Sequence, residues 1–278
     1  MLSWPTAAKM VDDRRWRRLL GMAIPTSPKA SAAPMDPHLN LLFVHVPKAG
    51  GTSICAAIRE HFSPACVLDD YQDRPIDPLS PMNADPDEFL ADCRQRQSSI
   101  LADKKAVVGH LWPAKYQSAV VDVRATVLRE PITRAISHYH FWQTQPPNGH
   151  SLHEYVTSRR LSFMEFAKLP MINGLYTGAF FRDVDMGQFT VIGAFETLSS
   201  DWSRIASSMG LLPPPPLRCV NPTADLVADY AVKRAEILGN NRVMAQLRDL
   251  FANDIRFYER HAIGATRHPS ALRAESSR

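Results

Sequence analysis

The sequence predicts an α/β fold of three layers, a P-loop-like arrangement in which helices flank a central, mainly parallel sheet. Apolar runs such as LLFVHV (41–46) are typical of strands covered on both faces, as in parallel sheets. Such runs alternate along the chain with helical patterns, which indicates a layered α/β domain. The first run leads into a glycine-rich turn, PKAGGTS (47–53), and the residues after it have helical spacing. With 45% apolar residues in 278, the chain can bury a substantial core.

Four further strands follow from the same pattern. Each is a short apolar run bounded by charged or turn-forming residues. These strands are expected over 64–70, 106–112, 123–130 and 189–195.

The helical segments begin at recognisable residues. Asp85 and Glu88 resemble a capping box ahead of a helix over 87–97. Pro131 suits the first position of the next helix, because proline lacks the N–H that this position leaves unpaired. Further helices are expected after Gly51, through most of 151–183, over 198–210 and over about 225–260.

The globular part is expected to be one domain, residues 39–264. Residues 1–38 mix arginine clusters with a stretch rich in proline, serine and alanine, which predicts a flexible, mildly basic leader. Four consecutive prolines (213–216) form a stiff connector and not a domain boundary, because helical patterns continue after them. Residues 265–278 are rich in arginine and serine and are expected to fray.

The bulk composition limits the possible function classes. The net charge of +4 and pI near 8.9 fit a protein that meets anionic ligands, but the excess is too small to indicate nucleic-acid binding. No apolar run approaches the ~18 residues of a membrane span, so no integral membrane segment is expected. The four cysteines form no CxxC or Cys/His pattern, which favours isolated thiols in a reducing compartment over a metal site or a disulfide framework. We therefore expect a cytoplasmic protein.

The glycine-rich turn has the composition of an oxyanion cradle. A turn between a strand and a helix points several backbone N–H groups at one spot, with the positive end of the helix dipole behind them. Gly50 and Gly51 allow a ligand to approach the backbone closely. Thr52 and Ser53 add hydroxyl groups, and Lys48 adds a full positive charge. The turn therefore predicts a site for phosphate or a similar oxyanion.

A nucleotide kinase or NTPase is one interpretation of such a turn. The P-loop reads GxxxxGK[ST], with its lysine after the glycines and a magnesium-binding hydroxyl beside it. Here Lys48 precedes the glycines, and the sequence offers no convincing acidic partner for magnesium. The order of residues argues against this alternative without removing it.

The loop HVPKAGGTS (45–53) resembles the 5′-phosphosulfate loop of sulfotransferases that use 3′-phosphoadenosine 5′-phosphosulfate (PAPS). It is most similar to the carbohydrate, heparan-type group, whose loop reads H-[IV]-P-K-T-G-G-T-S or similar. In that family the lysine steadies the bridging oxygen as sulfate leaves, and the amides and hydroxyls hold the phosphosulfate. The chain departs from the family at Ala49, where threonine is usual, so a hydroxyl contact is lost while the backbone amide remains. By resemblance, the donor-binding residues of the loop are Lys48, Ala49, Gly50, Gly51, Thr52 and Ser53, and Lys48 is also catalytic.

A second stretch, VLREPITRAISHYHF (127–141), is similar to the 3′-phosphate motif of the same family. The resemblance implies that Arg129 and Ser137 grip the 3′-phosphate. The planar guanidinium of an arginine at a strand end suits phosphate oxygens. Ser137 lies off the apolar stripe of its helix, so its hydroxyl is expected to be free. Without the resemblance, local pairing of Arg129 with Glu130 and a solvated Ser137 remain open.

The candidate general base is His110, which follows Gly109 at the end of a predicted strand. Open α/β sheets place their sites at this edge, and histidine is the side chain best matched to proton transfer near neutral pH. His110 also aligns with the histidine that related uronyl-type sulfotransferases use as a base. A structural role for His110 stays open, and Asp69 and Asp70 are the alternative bases, because other branches of the family use a carboxylate.

Together these residues predict transfer of a sulfuryl group from PAPS to a hydroxyl of a saccharide or glycoconjugate, without a metal. Two alternatives remain: a P-loop-type nucleotide kinase or NTPase, and a nucleotide-binding module without turnover, for which Ala49 is the only support. The pattern leaves the identity of the acceptor and the oligomeric state open.

Overall fold

A computed structural model of the chain describes residues 38–218 and 223–263. The predicted leader (1–38, except for His38) and the predicted tail (265–278) lie outside the described residues, as does Cys219. In the described ranges, no helix is both long enough and apolar enough to cross a membrane.

Five strands form one sheet, and every neighbouring pair in it is parallel. The strand order is β2-β3-β1-β4-β5, and helices cover both faces, which confirms the predicted three-layer α/β class. The strands are β1 (His38–Val44), β2 (Val67–Asp69), β3 (Ala106–Gly109), β4 (Val120–Leu128) and β5 (Val191–Ala194).

The helices connect these strands and continue after the last of them. α1, α3 and α4 start where the sequence predicts, within one residue. The helices are α1 (Gly51–Phe62), α2 (Pro81–Ala84), α3 (Pro86–Ile100), α4 (Pro131–Trp142), α5 (Ser151–Ser158), α6 (Phe163–Ala167), α7 (Pro170–Asn173), α8 (Leu198–Ser208), α9 (Thr223–Leu226), α10 (Tyr230–Gly239), α11 (Asn241–Leu250) and α12 (Ala252–Tyr258).

The central strand β1 is buried on both faces because its side chains alternate between two cores. Leu42 and Val44 pack in one core with apolar residues of α4. Leu41 and Phe43 pack in the other core, on the opposite face, with apolar residues of α1 and α8. The continuous apolar run that predicted this strand therefore reflects burial on two sides.

The helix starts follow capping chemistry. The Asp85 side chain accepts a hydrogen bond from the backbone N–H of Glu88 at the start of α3, as the sequence predicts. Glu130 caps α4 by accepting from the amides of Ile132 and Thr133. Pro131 occupies the first helical position, so only Arg129 and Glu130 lie between the end of β4 and the start of α4.

The segment 151–183 is mostly helical, as expected, but it consists of separate short helices. Ser162 and Glu165 form a reciprocal capping box at the start of α6. Pro170 begins α7, because a proline is tolerated at a first helical position and not in a helix interior. A π-helical turn, Leu175–Phe180, follows α7.

All five strands end at the same edge of the sheet, because all are parallel. In open α/β sheets, ligands bind in the crevice outside the carboxyl ends of the strands. Here the register aligns Val44 with Gly109 of β3 and with Thr126 of β4. The residues that follow these three strands are therefore side by side.

Candidate functional site

The loops that follow the five strands line one cavity of about 670 Å³. This volume is within the usual range for small-molecule sites. The loops contribute Lys48 after β1, Tyr71 and Arg74 after β2, His110 after β3, Arg129 after β4, and Phe195 after β5.

The backbone of the β1–α1 loop is folded tightly and requires its glycines. Lys48 and Gly50 are both in the left-handed region, with φ of 65° and 80°. A Cβ at Gly51 would lie 1.9 Å from Cδ2 of His45, so the imidazole ring packs directly on the glycine. His45 therefore packs against the loop at Gly51, and only glycine fits at position 51.

The N-terminus of α1 opens toward the cavity. Gly50 occupies the N-cap position and, having no side chain, cannot cap the first amides of the helix. Gly51, Thr52 and Ser53 form the first turn, which contains no acidic residue, and all three line the cavity. The amides and the dipole of a 12-residue helix therefore favour an anion at this point.

Ala49 is the one loop residue predicted to bind the donor that does not line the cavity. Its side chain is 1% exposed and packs in the core beside Val46. Its amide donates to the carbonyl of Val46 over 3.4 Å. The methyl group at position 49 therefore points away from the cavity, and the residue shapes the loop from inside.

Arg129 connects the two motifs. Its Nη1 donates to the carbonyl oxygen of Lys48 over 3.0 Å, across 81 residues of sequence. The guanidinium carbon lies 4.3 Å from the centre of the Phe195 ring, and Nε is buried with no hydrogen-bond partner among the described residues. Local pairing with Glu130 does not occur, because that carboxylate caps α4.

The cavity concentrates positive charge. Its described walls include Lys48, Arg74 and Arg129 but no Asp or Glu side chain. Arg74 lies 4.0 Å from Asp77, whereas no carboxylate of the described chain is within ion-pair distance of Lys48 or Arg129. Burial, reinforced by the charge of Arg129, lowers the pKa of Lys48 to about 8. An anion bound here would stabilise the protonated form of Lys48 and so oppose both effects.

Ser137 also lines the cavity. Its hydroxyl was expected to be free, but in the structure it is hydrogen-bonded. The side chain is 2% exposed, and Oγ shares a hydrogen bond of 2.9 Å with Oγ1 of Thr223. Thr223 begins α9, which folds back against α4, and it lines the cavity too. The sequence could not predict this pairing, because 86 residues separate the two hydroxyls.

His110 is held in one orientation by the backbone of His45. Its Nδ1 lies 2.5 Å from the carbonyl oxygen of His45, and because a carbonyl only accepts, Nδ1 carries the proton. Nε2 is then the unprotonated nitrogen. Burial lowers the pKa of His110 to about 4, although the bond to the His45 carbonyl opposes this shift. His110 is therefore neutral at pH 7.

Tyr71 is a cavity residue that sequence reasoning missed. Its hydroxyl is 3.1 Å from Nδ1 of His45, and its ring meets that of His110 edge-on at 5.0 Å between centroids. A tyrosine directly after the strand-end pair Asp69-Asp70 was the available signal, because β2 ends at the same edge as β1 and β3.

The alternative bases, Asp69 and Asp70, do not line the cavity. Asp69 pairs with Arg59 at 2.5 Å. Asp70 is buried and contacts Nζ of Lys115 at 2.5 Å, and Lys115 also holds the buried carboxylate of Asp73. This network fixes the loop after β2 to the loop after β3, and so supports the wall that carries His110. In the described residues, no cluster of His, Cys, Asp and Glu side chains could hold a metal ion.

No protein-family model matches the sequence, and no curated protein matches it. Among solved structures, mouse sulfotransferase SULT7A1 complexed with PAP has 16% identity and a TM-score of 0.37, over 71% of this chain and 62% of that one. Retinol dehydratase in complex with retinol and PAP has 14% identity and a TM-score of 0.30, over 76% and 67%. Retinol dehydratase with androsterone and the inactive cofactor PAP has 14% identity and a TM-score of 0.28, over 87% and 84%. At these TM-scores the likeness carries no functional conclusion.

Proposed function

We propose that this chain is a sulfotransferase that moves a sulfuryl group from PAPS to a hydroxyl of a saccharide or glycoconjugate. One observation carries the proposal. The two motifs that resemble the donor-binding segments of that family meet in one cavity, where the guanidinium of Arg129 bonds the backbone of Lys48. The described walls there carry cations and no carboxylate, as a multiply charged anionic donor requires.

The residues present fit such a donor. The amides at the start of α1, with Lys48, suit the 5′-phosphosulfate. Arg129, whose buried Nε has no partner in the described chain, suits the 3′-phosphate together with the hydroxyl of Ser137. When bound, PAPS supplies the sulfuryl group and leaves as adenosine 3′,5′-bisphosphate (PAP). A metal is not part of the proposal, because Lys48, Arg129 and the helix end supply positive charge.

In this mechanism Lys48 and the α1 amides stabilise the negative charge that develops on the leaving oxygen. His110 accepts the proton of the acceptor hydroxyl at Nε2 while Nδ1–H stays on the His45 carbonyl. Its pKa of about 4 means that the basic form is present at neutral pH. The negative charge of a bound donor would raise the pKa of His110, which favours transfer of the acceptor's proton to it.

The acceptor class is supported by the resemblance of the loop to the carbohydrate group. Two aromatic residues of the cavity, Tyr71 and Phe180, have ring centroids 5.0 and 6.2 Å from that of His110, and such rings pack well on the apolar faces of sugars.

A cytoplasmic location also belongs to the proposal. It is supported by the three described cysteines, which are unpaired thiols, as is usual in a reducing compartment.

The deciding experiment is thermal unfolding with PAP, compared with ATP and GTP in the presence of magnesium. A ligand at 100 times its dissociation constant stabilises the folded state by ~2.7 kcal/mol, which is visible as a rise in Tm. We expect a rise with PAP and none with the triphosphates. A rise with ATP or GTP alone would make the chain a kinase or NTPase. If PAP binds but no sulfate is transferred to any acceptor and PAPS is not slowly hydrolysed, the chain is a nucleotide-binding module without turnover.

The affinity for PAP is expected to fall as pH rises above about 8, the pKa of Lys48 in the free protein. Binding of an anion raises that pKa, so the ligand binds the protonated form and affinity falls by up to tenfold per pH unit. Titration calorimetry at pH 7, 8 and 9.5 measures this slope. The Lys48→Arg variant, whose guanidinium stays protonated, should show a flat profile. A flat profile in the wild-type protein would remove Lys48 from the phosphate contact.

A further inference from the structure

The hydroxyl of Tyr176 bonds both backbone groups of Arg129. It donates to the carbonyl oxygen over 2.5 Å and accepts from the amide N–H over 3.0 Å. Tyr176 is 0% exposed and lies 47 residues from Arg129 in sequence. One side-chain atom therefore fixes the peptide planes on both sides of the arginine.

Arg129 needs such a partner because of its position between two elements. β4 ends at Leu128 and α4 begins at Pro131, so Arg129 belongs to neither a strand nor a helix. Buried backbone groups outside regular structure require other partners. The next amide, that of Glu130, is bound by the carboxylate of Glu196 over 2.9 Å. Side chains from distant elements thus hold the whole connection between β4 and α4.

Tyr176 is itself anchored from the opposite side. Asp254 of α12 is 0% exposed and accepts from the amides of Tyr176 and Thr177 over 2.8 and 3.0 Å. It also accepts from the hydroxyl of Thr177 over 2.8 Å. The Tyr176 ring stacks on Phe257, with centroids 5.7 Å apart. The π-helical turn Leu175–Phe180 is therefore fixed where its tyrosine meets Arg129.

From these contacts we infer that Tyr176 is a positioning residue for recognition of the 3′-phosphate, acting through Arg129. The inference rests on the proposed function. The anchored tyrosine fixes the backbone from which the guanidinium extends toward the cavity and the Lys48 carbonyl. Without the hydroxyl, two backbone groups lose their partner and the connection can rotate. The guanidinium of Arg129 is then no longer held in one orientation, whereas the β1–α1 loop loses only the bond from Arg129 to the Lys48 carbonyl.

The test compares PAP with adenosine 5′-phosphate, which lacks the 3′-phosphate, by titration calorimetry. In Tyr176→Phe the preference for PAP, expressed as the ratio of the two dissociation constants, should fall about tenfold, because two hydrogen bonds that orient Arg129 are lost. The matched control is Tyr139→Phe, which removes a hydroxyl bonded to the Leu161 carbonyl at 2.9 Å, outside the cavity. Its ratio should equal that of the wild-type protein.

A folded Tyr176→Phe protein with the wild-type ratio would overturn the inference. Should that variant fail to fold, Asp254→Asn provides the same test, because it keeps the hydroxyl but weakens the anchor of Tyr176. Its ratio should fall in the same direction by a smaller factor, and an unchanged ratio would again contradict the role. A wild-type protein that does not prefer PAP to adenosine 5′-phosphate would instead reject the proposed function itself.

Discussion

Replacing His110 with asparagine is expected to slow sulfuryl transfer by about 10²–10⁴-fold while the affinity for PAP stays unchanged. Asparagine can still donate an N–H to the His45 carbonyl, so the local structure is preserved, but it cannot accept the proton of the acceptor hydroxyl. The measurement is transfer of labelled sulfate from PAPS to a saccharide that the wild-type protein sulfates. Calorimetry with PAP on the same sample reports binding separately.

The control is His61→Ala, which removes an exposed histidine at the end of α1 and should transfer at the wild-type rate. The pH profile adds a second readout. Since the pKa of His110 in the free protein is about 4, kcat/KM for PAPS should lack a limb near pH 6.5 and fall only as pH approaches 4, where the base becomes protonated. A His110→Asn protein within a few-fold of the wild-type rate would make His110 structural and remove it from the proposed mechanism.

Replacing Arg129 with lysine is expected to weaken PAP binding by about 10- to 100-fold, or ~1.4–2.7 kcal/mol. The charge is kept, but the planar fork that binds two phosphate oxygens is lost. The affinity for adenosine 5′-phosphate should change by about threefold or less, because only the bond from Arg129 to the Lys48 carbonyl affects the 5′ side. Calorimetric titration of both ligands measures the difference.

Arg124→Lys is the matched control for this substitution. Arg124 lies on β4, five residues before Arg129, and donates to the carbonyls of Tyr116 and Ala119 away from the cavity. Its replacement should alter stability and leave the ratio of the two affinities unchanged. Equal losses for both ligands in Arg129→Lys would mean that the arginine shapes the loop and does not recognise the 3′-phosphate.

Much of the fold could be predicted from local patterns. The five strands and the starts of α1, α3 and α4 follow from apolar runs, glycine turns and capping residues that act over a few positions. The ends of strands were less predictable. The run expected over 106–112 ends as a strand at Gly109, because His110 and the residues after it leave the sheet to form the cavity wall and a buried turn.

The candidate site also has a part that could be predicted from the sequence and a part that could not. The β1–α1 loop is a contiguous motif, so its glycines, lysine and hydroxyls could be recognised without a structure. That Arg129 touches Lys48 depends on the parallel pairing of Val44 with Thr126, which brings two strand ends together. Ala49 is predicted to bind the donor together with the other loop residues, but the loop geometry turns its methyl group into the core.

The sequence by itself determined the class of fold and the chemistry of the loop, because both follow from residues that are neighbours in the chain. Only the tertiary structure decided which distant groups serve that chemistry. The partners of Arg129, Ser137 and His110 come from Tyr176, Thr223 and the His45 carbonyl. These contacts join groups between 47 and 86 residues apart, and no local pattern records them. They arise because a buried polar group must find a hydrogen-bond partner wherever packing brings one near.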